Sequence, residues 1–352
     1  MGVALAGVAL ASTGVVRYLA SQAGYQAQYL WGRVPLAGIS EDPRWTEVQR
    51  KRLAQIPEIQ AYGARIGLQS NANYTVINPD WSRTIWNVSA CDRASFTPVA
   101  WSFPIVGTIP YLGFFDRGDA EVWATSLRGQ DYDVYVRTAG AFSSLGWYDM
   151  PIVPDMLNWS EQRLSDTLLH ETAHATLWIP GSVEFNESFA NFVGEKASHG
   201  YLVDKYGAGS PEVVAAEAVT ADGRRMNAVL HEVFVELDRD FKDPALSRRQ
   251  KIAEKERLFA TLPTRLAGAG LARPQRLVRW VQQGSWNNAR MMQFRVYNRS
   301  PEQFQAVLDA QGGDLLGFIK RIGEITSGHR DPYAALEGAA AAGPARASES
   351  SN

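Results

Sequence analysis

Apolar positions along the chain change period twice. Over residues 15–32 and 43–66 they recur at helical spacing, with Pro35 and Pro43 punctuating the link and Gly67 closing the second run, so both stretches are predicted helices. The middle of the chain differs. NYTVI (73–77), TIWNVSA (84–90), WSFPIVGTI (101–109), YLGFF (111–115) and DYDVYVR (131–137) are short β-branched and aromatic runs separated by Pro, Gly, Asp and Asn, which predicts strands. From 159 to 325 the helical period returns. Strands followed by helices predict an α+β fold, β-rich over 67–150 and helical over 155–330, with a sheet packed beside the helices. No internal repeat is visible.

The two ends read differently from this body. MGVALAGVALASTGVV is uncharged up to Arg17, close to a signal h-region and short of the roughly 20 residues of a membrane span. Residues 1–17 are therefore read as a secretory signal or membrane anchor, which places the protein in the cell envelope, exported or anchored facing the periplasm. The competing reading is a buried amino-terminal helix, because no Lys or Arg precedes the apolar run. From Asp331 onward, DPYAALEGAAAAGPARASESSN is rich in Ala, Gly and Ser and is predicted to be a disordered tail over 331–352. That leaves 18–330 as the folded domain.

Composition narrows the functional classes. With 352 residues, 45% of them hydrophobic and 20% charged, the chain buries a large core. Its 35 basic residues are balanced by 37 acidic ones and form no long basic run, so nothing favours a nucleic acid partner. The single Cys91 rules out an intrachain disulfide and a cysteine metal cluster. No obligate protein partner is indicated.

The candidate chemistry lies in LLHETAHATLWIPGSVEFNESFANF (168–192). With 5 histidines in 352 residues, a random shuffle yields His-Glu-x-x-His about four times in a thousand, so accident explains it poorly. On an α-helix, positions four apart share a face, which lets His170 and His174 reach one ion while Glu171 lies on the neighbouring edge. Helix signals agree: Asn158 or Ser160 caps the start, Leu164, Leu168 and Ala175 recur at helical spacing, and Pro180-Gly181 ends the run. A catalytic zinc needs three protein ligands and an open position for water. Past the break, Phe185, Phe189, Phe192 and Val193 resume helical spacing, so the two helices form a hairpin. Glu187 then sits level with the histidines, and Glu184 is its rival nearer the bend.

His170-Glu171-Thr-Ala-His174 followed by Phe185-Asn186-Glu187-Ser188-Phe189-Ala190 resembles the gluzincin pattern, in which a second helix supplies a glutamate from an Asn-Glu motif, here after a shorter gap. More closely, the chain resembles a bacterial family of predicted zinc aminopeptidases, through YLASQAGYQAQYLWGRVPL (18–36), WSFPIVGTIPYLGFF (101–115), AFSSLGWYDMPI (141–152), the metal segment and WNNARMMQFRVYNRSPEQFQAVLDAQGGDLLGFI (286–319). The likeness covers about residues 18–325. It implies one Zn2+ per chain on His170, His174 and Glu187, a peptide substrate, and a downstream tyrosine or histidine for the oxyanion, for which Tyr297 is the first candidate and His231 the second.

Glu171, beside the ligands without being one, is the expected general base. Residues 138–150 suit a strand that pairs with peptide backbone, and Asn287 and Asn288 either bind substrate or cap a helix. An aminopeptidase also needs an acidic group for the substrate amine, and Glu184 and Asp149 are the candidates. The alternatives are an endopeptidase and a membrane-tethered binding or structural protein stapled by zinc. A structural site has no use for a base between its ligands, so Glu171 favours the enzyme.

Overall fold

The computed structural model describes residues 12–69, 73–103, 107–139, 151–296 and 301–342. Helix α1 (Ser12–Trp31) leads into strand β1 (Val34–Pro35), and α2 (Glu47–Arg65) follows. A reciprocal pair of bonds between Thr46 and Gln49 caps α2. The NYTVI run contributes only the two residues of β2 (Val76–Ile77), which pair with β1; its length is limited because the chain turns at once through Asn78 to meet Ile152.

Three antiparallel strands form the main sheet, in the order β6 (Leu112–Phe114), β3 (Ile85–Asp92), β7 (Tyr132–Ala139). Strands β4 (Trp101–Phe103) and β5 (Gly107–Ile109) make a separate two-stranded ribbon. One helix interrupts the region predicted as strands: α3 (Arg117–Gly129), between β6 and β7. Its signals are an Asp116 cap and apolar residues at Ala120, Ala124 and Leu127, which are small enough to be overshadowed by the aromatic runs around them. These residues cover one face of the sheet, against Val88, Phe114 and Val134.

The rest is helical: α4 (Glu161–Thr176), α5 (Val183–Tyr206), α6 (Pro211–Lys242), α7 (Arg248–Ala260), α8 (Leu262–Ala267), α9 (Pro274–Gln282), α10 (Asn288–Val296), α11 (Pro301–Ala310), α12 (Leu315–Thr326) and α13 (Pro332–Ala342). The fold is thus α+β with a mostly helical carboxyl-terminal part, as the sequence pattern predicts. A large core joins α2, α4 and α5 to α11, α12 and α13, with Leu164, Leu168, Phe185, Phe189, Phe304 and Phe318 buried in it. A second core holds α6 to α10 together through Val233, Leu237, Leu258, Leu262 and Met291.

The tail differs from the expectation. Instead of disorder from Asp331, the chain forms α13, capped by the Asp331 carboxylate, which accepts from the Tyr333 and Ala334 amides. Alanine-rich composition favours a helix once an apolar edge can dock, and Tyr333 and Leu336 supply that edge, both buried in the main core. Residues 343–352 lie outside the described residues, as do 1–11 of the apolar opening. Among the described residues no helix is long and apolar enough to cross a membrane.

Candidate metal centre

Helix α4 starts at Ser160, whose side chain accepts from the Arg163 amide, and it buries Leu164, Leu168, Leu169 and Ala173. It stops at Thr176, four residues before Pro180. Leu177 turns to an extended conformation there, and Gly181 takes a left-handed φ of 79° to complete the bend. Asn186 fixes this bend: its buried side chain donates to the Ile179 carbonyl and accepts from the Ile179 amide, both at 2.9 Å. The asparagine of the Asn-Glu pair is thus the clamp that sets how α5 leaves the turn, a role that sequence alone did not reveal.

The two helices cross closely at Gly194. A Cβ there would lie 2.9 Å from Asp166 Oδ1, 3.0 Å from the Asp166 carbonyl and 3.1 Å from His170 Cβ. Only glycine permits this approach, and the approach brings Glu187 opposite the histidines. His170 Nε2 and His174 Nε2 are 3.1 Å apart. Glu187 places Oε2 3.7 Å from the first and Oε1 3.7 Å from the second. Bonds of about 2.0–2.1 Å at a tetrahedral ion put ligand atoms about 3.3 Å apart, so the three groups already stand near the spacing one ion requires. Among the described residues they are the one group of three His, Cys, Asp or Glu side chains that converges in this way.

Electrostatics agree with the geometry. Burial pushes the His170 imidazole down to about 4, against a hydrogen bond with Asn191 that acts to raise it. Burial, then the neighbouring His170, holds His174 well below the usual range. Burial raises the Glu187 carboxyl to about 7, against Arg137, which acts to lower it. Both rings are thus neutral and ready to donate lone pairs, and a carboxylate is short of positive charge, the condition a divalent cation relieves. The side chains keep 14%, 9% and 13% exposure for His170, His174 and Glu187, so the group is largely but not wholly buried. Asn191, one turn beyond Glu187, orients the His170 ring. The His174 Nδ1 atom has no hydrogen-bond partner among the described residues.

Glu171 stands beside this group without joining it. Burial, then the Glu187 charge, raises its carboxyl to about 8. Glu184, the rival ligand, also stands outside the group; it lies in the first turn of α5, and its carbonyl accepts from the Tyr333 hydroxyl, which also donates to Ser188 Oγ. Strand β7 supports the site from the other side. Val134 and Val136 face the α3 core, so Asp133, Tyr135 and Arg137 share the opposite face, where Asp133 meets Lys255, Tyr135 meets Arg290 and Arg137 acts on Glu187.

The other sequence candidates fall elsewhere. Asn287 donates to the Val134 carbonyl and accepts from the Arg290 amide, capping α10, and Asn288 donates to the Asp92 and Ser95 carbonyls. Of the two readings offered by the sequence, these bonds fit the structural one. His231 is exposed, stacks on Phe234 and is not in the metal group. Tyr297, Asp149 and the 140–150 segment lie outside the described residues. Comparison with curated proteins and with solved structures gives no match. The sequence model of one family, described as putative aminopeptidase, does match, over residues 17–333. That span takes in the sheet, the hairpin of α4 and α5 and the helices that pack on it, and the chain belongs to this putative aminopeptidase family.

Proposed function

We propose that the protein is a zinc-dependent peptidase, acting as an aminopeptidase, with His170, His174 and Glu187 as the metal ligands and Glu171 as the general base. The observation that carries this reading is the convergence of two imidazoles and a carboxylate at ligand spacing, with a further carboxylate beside them that takes no part in the group. Family membership supports a peptidase role. When bound, the ion supplies Lewis acidity for a carbonyl oxygen and makes water acidic enough to lose a proton near neutral pH.

The chain's own residues account for the rest. Glu171 takes the proton of the attacking water and hands it to the leaving amine, so the peptide bond breaks without a free hydroxide or an expelled amide anion. Its raised affinity for a proton suits it to both halves of this exchange. Glu184, one turn before Glu187 on α5, is the residue this reading assigns to pair with the free α-amine of a substrate. Residues 1–17, on this reading, export or anchor the domain at the cell envelope.

The test combines metal content with blocked and unblocked peptides. Purified protein binds about one zinc per chain, and His170→Ala, His174→Ala and Glu187→Ala each lose it. Glu171→Gln keeps the zinc and the fold but loses roughly 100-fold or more in kcat, with KM little changed. Free-amine peptides are cleaved and acetylated ones are not. Cleavage of both kinds would make the enzyme an endopeptidase, and zinc-loaded protein that cleaves neither would leave a structural metal site.

A further inference from the structure

The bend between α4 and α5 presents one aromatic side chain that no core accounts for. Leu177, Trp178 and Ile179 join the end of α4 to Pro180. Leu177 is extended, and its amide still donates to the Ala173 carbonyl at 2.9 Å. Ile179 is held by its paired bonds to the Asn186 side chain, and its carbonyl also accepts from the Ser182 amide. Trp178 is therefore fixed from both sides. Leu177 and Ile179 pack on the main core, whereas Trp178 belongs to none of the three cores. Successive side chains on an extended segment point to opposite sides, which sends the indole away from the core that takes its two neighbours.

The indole goes to the metal group. The Trp178 and His174 rings lie 5.6 Å apart, centroid to centroid, with their planes at 69°. Among the described residues this is the one ring contact of Trp178, and the side chain is only partly buried. Pro180 and Gly181, next along the bend, are exposed. Tryptophan offers the largest ring surface of any side chain. Left partly open against a proposed metal ligand and held by a braced bend, it is a preformed apolar wall of the kind that lines ligand sites.

We infer that Trp178 walls the subsite for the side chain of the substrate's amino-terminal residue, and that it selects peptides in which this side chain is apolar. This rests on the proposed aminopeptidase, with His174 as a metal ligand. In that reaction the scissile carbonyl belongs to the amino-terminal residue, whose side chain is attached two bonds away, within reach of a ring packed on a metal ligand. An apolar side chain leaves water together with the open part of the indole. A charged one gives up hydration there for a ring contact alone.

The experiment is calorimetric titration of the full, zinc-loaded chain with leucine, glycine and lysine hydroxamates, which share a zinc-binding group and a free amine and differ in side chain. Leucine hydroxamate is expected to bind about tenfold tighter than glycine hydroxamate, and lysine hydroxamate no tighter than leucine hydroxamate. Trp178→Ala is expected to bring the leucine-to-glycine ratio below about threefold, with zinc content and glycine hydroxamate affinity unchanged; a ring that only braced His174 would weaken all three alike. Trp178→Leu and Trp178→Gln cover an alanine variant that fails to fold, the first keeping the ratio and the second losing it. A ratio near one in the wild type, a ratio that survives Trp178→Ala, equal ratios in the leucine and glutamine variants, or a preference for lysine overturns the assignment. If the wild type cleaves no peptide while the ratio and its loss are both observed, the peptidase reading falls and the subsite stands; peptide cleavage with a ratio near one gives the reverse. A chain that takes up no zinc overturns both.

Discussion

Gly194 shows how much the site depends on one missing methyl group. It lies inside α5, where glycine is about 1 kcal/mol less favourable than alanine, yet a Cβ would press on Asp166 and His170 across the crossing. Gly194→Ala is therefore expected to destabilise the fold by about 1–3 kcal/mol through overpacking and to weaken zinc binding, because relief means moving α5 and Glu187 away from the histidines. Thermal unfolding and metal titration of the variant read the two effects separately; a more stable variant with full zinc affinity would show that the crossing has slack. The histidines were legible in the sequence because a spacing of four on a helix is local geometry, and Glu187 was legible because a hairpin brings residues equally far from its bend level with each other. The parts played by Gly194, Asn186 and Asn191 were not, since each depends on how two helices cross, which no local period encodes.

Among the elements, α4 is held at its start by charge. Glu161 accepts from Tyr206 at 2.7 Å, Lys205 stands 3.0 Å from it, and the Tyr201 hydroxyl lies within 3.1 Å. Lys205 also reaches Glu58 on α2, so one ammonium ties α2, α4 and α5. Burial alone would raise the Glu161 carboxyl, but Tyr206, Lys205 and Tyr201 outweigh it and the carboxyl is lowered. A carboxyl lowered by folding stabilises above its ordinary pKa, near 4 to 4.5, and that stability fades as pH falls through the folded-state value. Glu161→Gln is thus expected to cost about 1.5–3 kcal/mol at pH 7, with the gap from wild type closing below about pH 4. Urea unfolding across that range tests it, and a gap that stays constant with pH would mean the ionised form adds nothing. At this scale the sequence predicted α1, α2, α4 and α5 well, because capping residues and apolar stripes coincide there. It missed α3, whose stripe is two alanines and a leucine, and it carried α4 on to Pro180, although the chain leaves the helix at Leu177 to let Asn186 grip Ile179.

At the scale of the molecule, two connections join parts that are far apart in sequence. Lys255 and Asp133 form an ion pair at 2.6 Å with side chains only 4% and 10% exposed, and the Asn288 amide donates to the same carboxylate. This cluster docks α7 and α10 on β7. Removing one partner strands a buried charge, so Lys255→Met is expected to cost about 3–5 kcal/mol, and adding Asp133→Asn should recover part of that loss. Denaturant midpoints of the single and double variants decide it, with full additivity counting against a coupled pair. The second connection is α13, whose Ala-, Gly- and Ser-rich composition resembles a tail, while its docking edge of Tyr333 and Leu336 is defined only by the core it packs on. A chain ending at Arg330 loses both buried side chains and should be less stable by about 3–6 kcal/mol, with weaker zinc binding measured by equilibrium dialysis; unchanged affinity would separate α13 from the site. The Tyr333 hydroxyl reaches back 149 residues to the Glu184 carbonyl. A chain emerging from the ribosome has therefore made both histidines and the glutamate long before it makes the residue that braces the start of α5. On this arrangement the first turn of α5 stays unbraced through the making of the next 149 residues, and the brace closes only when Tyr333 has been made.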